Sequence, residues 1–404
     1  MPTDRRAEIP FSTAAAGKNE RATVGTLALL MALTALGQLA TNIVIPSLRD
    51  IAGSVGLPVE SVGLILAMVL LGLAIGQLAV GPLSDRIGRR PVLIGGLVIY
   101  LLGSVGATFA GGGTLLLTAR LVQGLGASAG LALPRAIARD RYAGSEFMRT
   151  MSLLTMAMAV TPGLAPVLGG LLADSYGWRA SLGTSVLAGS AALLTSALLL
   201  KETHHDRIGT GGIGAVFSAY AQILGNRVFL AYAVMSGAVI GGAYAEVSGA
   251  QQFYSGEFGW PSTKLSLATA CYAGAAFSGS VLSGRIHVAY RMRIGVGLIV
   301  LAPLALLGLR AVGINHPGVM LALVVVSQIG MGIMIGIAIG AALMAVERSL
   351  GTASAVLGAT HMAMGAGGAA FVSAMPTAMS WSIPLVMLGF ALLATLMLFA
   401  ARRS

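Results

Sequence analysis

Two ionisable side chains stand out because the residues around them are apolar. Of the fourteen acidic residues only Glu246 lies well inside an apolar stretch, and of the 25 basic residues only Arg120 does. A charge inside a bilayer costs several kcal/mol unless it is paired or hydrated, so both residues indicate a functional centre. We expect them to approach each other across a central cavity, where a carboxyl group could bind and release protons. The alternatives are a structural ion pair for Glu246 and an Arg120 that reaches the outer surface.

The sequence lacks the motifs of the common catalytic sites. Its three lysines, Lys18, Lys201 and Lys264, close no phosphate-binding loop, and no zinc-protease motif or nucleophile elbow occurs. His204, His205 and Asp206 have no further metal ligand nearby. We therefore predict no enzyme, no metal and no cofactor, with a proton gradient as the energy source. A membrane-embedded enzyme or a non-transporting sensor is the alternative class.

The composition is that of a protein surrounded by lipid. Of 404 residues, 56% are hydrophobic and 10% charged, and the mean hydropathy is +0.87, whereas a soluble domain carries about 25% charged residues. Apolar stretches of about 20 residues predict transmembrane helices. Twelve such spans occur, at residues 22–48, 61–83, 91–110, 114–138, 149–173, 179–200, 228–253, 263–284, 294–311, 317–345, 352–376 and 380–401.

The basic residues predict the orientation. With a cytoplasmic N-terminus and alternating spans, 20 of the 25 lysines and arginines lie on the cytoplasmic side and four lie outside. This asymmetry satisfies the positive-inside rule and explains the net charge of +11 without nucleic acid. We expect a multi-pass protein of a bacterial inner membrane, with both termini cytoplasmic.

The spans divide into two sets of six. A polar linker at 201–227 separates residues 22–200 from 228–401, between a tail at 1–21 and a C-terminus at 402–404. The sequence Leu-Ser-Asp-Arg-Ile at 83–87 is similar to Leu-Ser-Gly-Arg-Ile at 282–286, half a chain later. We predict an all-α membrane protein of two pseudo-symmetric six-helix bundles, with a substrate site between them.

The loop after span 2 carries the most specific motif. Residues 81–91 read Gly-Pro-Leu-Ser-Asp-Arg-Ile-Gly-Arg-Arg-Pro and resemble the cytoplasmic loop of the major facilitator superfamily. The resemblance implies a cytoplasmic gate in which Asp85 faces the start of span 11, near Thr352, because a helix N-terminus attracts an anion. The matching gate residues are Gly81, Asp85, Arg86, Gly88, Arg89 and Arg90.

Two further motifs fall in spans 4 and 5. Arg120, Gln123 and Gly124 resemble the superfamily's R-x-x-Q-G pattern, and we expect the glycines here to pack helices. Residues 160–170 resemble the motif of its antiporters, with Pro162, Gly163, Pro166, Gly169 and Gly170. The small residues predict a bent helix with a flat face that lies against span 8.

Residues 120–179 are similar to the Bcr/CflA drug-resistance branch of that superfamily. The resemblance implies a twelve-span exporter of small organic compounds, such as antibiotics, that is driven by proton antiport. Export of a self-made siderophore or another metabolite is the alternative. We expect it to act as a monomer whose partners are its small organic substrate, protons and the lipid bilayer.

The sequence departs from this branch at its usual proton site. The branch carries an aspartate in span 1, four residues before a proline, where this chain has Asn42, and an amide does not titrate near neutral pH. Other polar candidates for the substrate cavity are Gln38, Gln123, Tyr244 and Gln328. The scarcity of charge among them favours neutral, cationic or zwitterionic substrates over polyanions. His361 is predicted to be structural.

Overall fold

The fold is known from a computed structural model, which describes residues 23–203, 213–346, 350–375 and 377–403. The N-terminal tail and the group His204, His205 and Asp206 lie outside the described residues. Within the described ranges the regular elements are helices, and twelve of them are long and apolar enough to cross a membrane. This result confirms the predicted all-α class and the predicted number of spans.

Fourteen α-helices make up the described chain. Span 1 comprises α1 and α2, span 2 is α3, and the later spans follow in order, with α8 in the linker. The helices are α1 (Val24–Asn42), α2 (Leu48–Ser54), α3 (Leu64–Ile87), α4 (Arg89–Thr108), α5 (Gly113–Arg141), α6 (Gly144–Tyr176), α7 (Trp178–Leu199), α8 (Ile213–Gly225), α9 (Arg227–Gln251), α10 (Ser262–Ser283), α11 (Val288–Ala311), α12 (Pro317–Met344), α13 (Leu350–Ala374) and α14 (Met379–Arg403).

Several helices extend beyond their apolar stretches. The helix α6 begins at Gly144, five residues before the predicted span, and α11 begins at Val288 although Arg291 and Arg293 follow in its first turns. Backbone hydrogen bonding continues through the polar headgroup region, which adds about 10–15 Å to the hydrocarbon thickness. Hydropathy therefore locates the buried part of each helix and underestimates its length.

The linker contains a helix that was not predicted. The helix α8 packs through Ile223 against Phe229 of α9, and the hydroxyl of Tyr220 donates a hydrogen bond to the carbonyl of Leu78 in α3 at 2.7 Å. Burial raises the pKa of Tyr220, and the nearby Asp85 carboxylate adds to this effect, so the hydroxyl keeps the proton that it donates. The polar residues at the start of the 201–227 linker obscure the apolar stretch 213–224, so hydropathy does not predict this helix.

Each half of the chain has its own hydrophobic core. One cluster of buried side chains lies within residues 29–200, with Ala366 and Ala369 added from the second half, and another lies within residues 235–398. Helices in the first half approach closely: a Cβ on Gly124 of α5 would lie 2.1 Å from the carbonyl oxygen of Val69 in α3. The glycines of span 4 therefore pack helices together.

The two bundles meet tightly at one end and enclose a cavity at the other. At the sealed end, the Gln251 amide donates to the Pro46 carbonyl at 2.7 Å, and the backbone N–H of Gly63 donates to Ser373 Oγ at 2.8 Å. The other end, which we call the arginine-rich end, carries residues 81–91, Arg135 and Arg139; the predicted loop at 81–91 is helical except at Gly88, which lies between α3 and α4. There a cavity of about 580 Å³ lies between α3, α5, α6, α8 and α13.

Candidate functional site

Arg120 is the largest fully buried side chain in the described structure. Its Nη1 donates to the carbonyl of Ala40 in α1 at 2.9 Å and to Oε1 of Gln123, and its Nε donates to the carbonyl of Ile65 in α3 at 3.2 Å. Nη2 has no hydrogen-bond partner. Arg120 thus joins α5 to α1 and α3 inside the first bundle, and its charge is held by backbone carbonyl oxygens.

Glu246 is fully buried in α9, near the sealed end of the second bundle. Neither carboxyl oxygen accepts a hydrogen bond of normal geometry. The hydroxyl of Tyr272 in α10 lies beside the carboxyl group and is itself hydrogen-bonded to the hydroxyl of Tyr254 at 2.7 Å. Glu246 is therefore a buried acid with two tyrosine hydroxyls close by.

The structure does not bring Arg120 and Glu246 together. Both residues lie in the described part of the chain, and no nitrogen of Arg120 is within 4.0 Å of a Glu246 oxygen. The expected approach fails in this conformation because each side chain points into its own bundle. Backbone carbonyl oxygens of α1 and α3 hold Arg120, whereas Glu246 lies beside Tyr272 of α10.

The polar residues predicted to line a substrate cavity have different surroundings. Gln123 is fully buried, and its amide bonds Arg120 and Ser104. Asn42 donates to the carbonyl of Gln38, one turn earlier in α1, at 2.8 Å. Gln328 faces a cavity of about 20 Å³ inside the second bundle, which has room for about one water molecule. These side chains are thus engaged within their own bundles.

Tyr244 has a different place, at the contact between the two bundles. It is half-buried in α9 and packs against the hydrophobic core of residues 29–200. A Cβ on Gly365 of α13 would lie 2.7 Å from its ring. Tyr244 therefore belongs to the surface along which the bundles meet.

The gate motif forms a compact network around Arg89. This side chain is 3% exposed and forms ion pairs with Asp85 and, through Nε at 3.0 Å, with Asp140 at the end of α5. Its Nη1 also donates to Ser84 Oγ at 2.6 Å. Two carboxylates and a hydroxyl therefore satisfy one guanidinium, which fixes the start of α4 against α3 and α5.

A glutamate after span 6 completes this network, and no role was predicted for it. The Glu202 carboxylate accepts hydrogen bonds from the backbone N–H groups of Arg89 at 2.9 Å and Arg90 at 3.2 Å, which are the first two of α4. An anion at a helix N-terminus is favourable. Gly88 makes room for it, with φ +107° and a missing Cβ that would lie 2.4 Å from Glu202. In the sequence, the only indication of this contact is Gly88, a residue that can adopt positive φ, directly before the first two N–H groups of α4, which have no partner within the helix.

The remaining gate residues lie at the edges of the network. Arg90 donates from Nη2 to the carbonyl of Ala197 in α7 at 2.8 Å. Gly81 and Asp85 line the cavity at the arginine-rich end together with Thr352 at the start of α13. Arg86 lines a separate apolar groove between α3, α8 and α13. Asp85 and Thr352 thus share a cavity; residues 347–349, immediately before α13, lie outside the described part of the chain.

The antiporter-like segment lies in α6, at the contact with the other bundle. A Cβ on Gly170 would lie 2.1 Å from Ser266 Oγ in α10, and one on Gly163 would lie 3.6 Å from Ala273 Cβ. Gly169 instead faces Ile43 in its own bundle. The helix runs unbroken through Pro162 and Pro166. Span 5 therefore packs against span 8 through small residues.

Relatives of the chain bear the names of drug-resistance proteins. The chain is 38% identical over 157 residues to Multidrug resistance protein D of Escherichia coli (strain K12), which is 39% of this chain and 40% of that protein. It is 36% identical over 171 residues to the Chloramphenicol resistance protein of Pseudomonas aeruginosa, 41% of each chain. These matches span about two fifths of each relative's length.

Solved structures share the fold over nearly the whole chain. A bacterial homologue of the lysosomal transporter Spinster, inward-facing and unoccupied, superposes with a TM-score of 0.71 at 16% identity, over 93% of this chain and 96% of that one. A D-xylose–proton symporter superposes with a TM-score of 0.70 at 14% identity, over 92% and 96%. At such identities the likeness concerns the fold alone.

The family profile covers most of the chain. The profile of the Major Facilitator Superfamily matches residues 27–372, which include the first bundle, most of the second bundle, the gate motif, Arg120 and Glu246. Together with the twelve spans and the two-bundle fold, this match places the chain in a family of multi-pass membrane transporters and not in a family of enzymes. The chain belongs to the Major Facilitator Superfamily.

Proposed function

We propose that this protein exports a small organic compound of the antibiotic or drug type across a bacterial inner membrane in exchange for protons. The observation that carries the proposal is the asymmetry between the two ends of the molecule. Hydrogen bonds between the bundles seal one end, whereas a cavity of about 580 Å³ lies between them at the arginine-rich end. By the positive-inside rule the arginine-rich end faces the cytoplasm, and so do both termini.

This arrangement is one half of an alternating-access cycle. A compound enters the cavity from the cytoplasm, the bundles rock about their contact, and the sealed end opens to release it. The bundles move along the contact between α6 and α10. Gly163 and Gly170 have no side chain, so few groups interlock there. The similarity of this segment to antiporters supports exchange.

Glu246 is the proposed proton site. Asn42 replaces the acid expected in span 1, and Glu246 is a fully buried carboxyl that lies beside the Tyr272 hydroxyl and has no cation within 4.0 Å among the described residues. Burying an ionised carboxylate without a partner is costly, so it holds a proton while the nearby end is sealed. Opening that end exposes it to water and to the outer solution. At about 150 mV, one charge supplies roughly 3.5 kcal/mol.

Arg120 takes a positioning role in this proposal. Its hydrogen bonds to the carbonyl oxygens of Ala40 and Ile65 hold α1, α3 and α5 as one rigid unit. Rocking of whole bundles requires such rigidity. This role replaces direct pairing with Glu246.

A second candidate function is export of a self-made siderophore or other metabolite. The fold and the proton site serve either cargo, and the matched relatives bear the names of drug- and chloramphenicol-resistance proteins. Measuring the compounds that accumulate in siderophore-producing cells that lack this gene distinguishes the two candidate functions. A retained iron chelator supports the metabolite, and raised antibiotic sensitivity with normal siderophore secretion supports the drug exporter.

Transport in everted membrane vesicles tests the proposal. An acid-inside pH gradient drives uptake of a fluorescent drug into vesicles that contain the wild-type protein, and a protonophore abolishes it. Glu246→Gln removes gradient-driven uptake, whereas Glu257→Gln, which changes an exposed carboxyl at the end of the same span, leaves it intact. Uptake that is insensitive to the protonophore, or unaffected by Glu246→Gln, contradicts the proposal.

A further inference from the structure

The cavity at the arginine-rich end has an unbalanced charge. Four charged side chains line it: Asp85, Arg89, Arg135 and Arg139. Asp85 and Asp140 both pair with Arg89, so around this cavity three guanidiniums meet two carboxylates among the described residues. The positive charge of the cavity therefore exceeds the negative charge, although little charge was predicted at the substrate site.

Among the residues that the structure describes, none forms an ion pair with Arg135. It is exposed in α5, and its Nη2 lies 3.2 Å from the thioether sulfur of Met158 in α6. Among the described residues no carboxylate oxygen lies within 4.0 Å of its guanidinium. A thioether is a weak acceptor, so most of the donors of this guanidinium face the cavity without a strong partner.

Part of the wall of this cavity is apolar. Leu131, Phe147 and Met151 line the same cavity, and Phe147 and Met151 also pack against the core of the first bundle. The volume of about 580 Å³ falls within the range of about 300–1,000 Å³ for drug-sized ligands. An apolar wall beside one unneutralised guanidinium suits a ligand with an apolar body and a single anionic group.

We propose that this cavity binds an organic monoanion, whose carboxylate pairs with Arg135 while its apolar body lies against Leu131, Phe147 and Met151. The guanidinium offers two parallel N–H donors, which match the two oxygens of a carboxylate. The half-exposed Asp85 carboxylate in the same cavity repels a second negative charge on the ligand, which favours monoanions over polyanions. The direction of movement rests on the proposed function, but binding at this site does not.

Equilibrium binding to purified protein in nanodiscs tests this proposal without a gradient. The probes are dansylglycine, a fluorescent carboxylate, and dansylglycinamide, its neutral amide. We expect the wild-type protein to bind the carboxylate about ten- to a hundred-fold more tightly, the range for a hydrogen-bonded charged pair. Equal affinity for the two probes, or no binding of either, overturns the proposal.

Variants at Arg135 locate the preference. Arg135→Gln should bind both probes equally and keep the wild-type affinity for the amide, which also shows that the variant is folded. Arg135→Lys should keep part of the preference for the carboxylate probe, because it keeps the positive charge and loses the two parallel N–H donors. The matched control Arg293→Gln removes an exposed arginine that does not line the cavity and should bind as wild type. A preference that persists in Arg135→Gln contradicts the proposal.

Lipid composition distinguishes a ligand site from a contact with lipid headgroups. Nanodiscs of phosphatidylcholine alone and with added phosphatidylglycerol should give the same preference for the carboxylate probe. Loss of the preference in the anionic lipid would assign Arg135 to a lipid headgroup and overturn the proposal. The vesicle transport experiment is independent of this result. If the preference is found and gradient-driven uptake is not, the binding site stands and the proposed antiport fails.

Discussion

Arg89 at the start of α4 donates a hydrogen bond from Nε to Oδ2 of Asp140 at the end of α5, at 3.0 Å. Fifty residues separate the two, and the pair is almost entirely buried, with side-chain exposures of 3% and 15%. It fixes the gate motif to the end of α5 from which Arg135 projects into the cavity. The gate and the proposed binding site are therefore parts of one rigid assembly.

Removing one partner of this buried pair should strongly destabilise the protein. We expect Arg89→Gln to lower the free energy of unfolding by about 3–5 kcal/mol, because two carboxylates lose their partner. Asp140→Asn should lower it by less, because Asp85 still pairs with Arg89. The double variant should lose less than the sum of the two. Thermal unfolding in mild detergent measures both effects, with Arg293→Gln as the control. Additive losses would show that the pair does not act as a unit.

Gly88 should not tolerate a side chain. Gly88→Ala places a Cβ 2.4 Å from the Glu202 carboxylate at φ +107°, in a region that costs about 1–3 kcal/mol for residues other than glycine. The matched control is Gly95→Ala in the same helix α4, where nothing lies within 4 Å. We expect a lower melting temperature for Gly88→Ala alone. Equal melting temperatures would mean that Glu202 does not cap α4 as described.

Alanine substitutions at two glycines of α6, at the contact between the bundles, should affect transport differently. A Cβ at Gly170 meets Ser266 Oγ at 2.1 Å and the Ser262 carbonyl at 3.0 Å, whereas one at Gly163 meets Ala273 Cβ at an ordinary 3.6 Å. We expect Gly170→Ala to slow transport and Gly163→Ala to have little effect. Ser266→Ala should partly restore Gly170→Ala, because it removes the closest atom. Initial transport rates at equal protein amounts in the membrane check this order.

Position 120 should require a guanidinium group and not only a positive charge. The side chain bonds two backbone carbonyl oxygens and Gln123 from a planar group, an arrangement that an ammonium does not reproduce. Arg120→Lys should therefore unfold at a lower temperature than the wild type. Arg135→Lys serves as the comparison because its site is open to the cavity, and it should be stable. Equal stability of the two lysine variants would contradict the positioning role.

The sequence predicts the number of spans and the gate motif, because hydropathy and a short sequence motif depend only on neighbouring residues. It does not predict the opposite orientations of Arg120 and Glu246, since membership of a cavity-lining span does not fix which face of a helix a side chain occupies. The partners of Glu202 and Asp140 lie 113 and 51 residues away in the chain, so no local pattern predicts the roles of these two carboxylates. For Arg135, hydropathy gives only a position near the end of span 4, and it takes the fold to show that this side chain lines the cavity.

Distances between spin labels at the two ends of the protein test alternating access most directly. In a Cys271→Ser background, Ser54 and Ala378 report on the sealed end, and Ser145 and Ser354 report on the arginine-rich end; all four are exposed. On changing from high to low pH with substrate present in nanodiscs, we predict that one distance lengthens while the other shortens. Two distances that stay fixed, or that change in the same direction, would contradict the account.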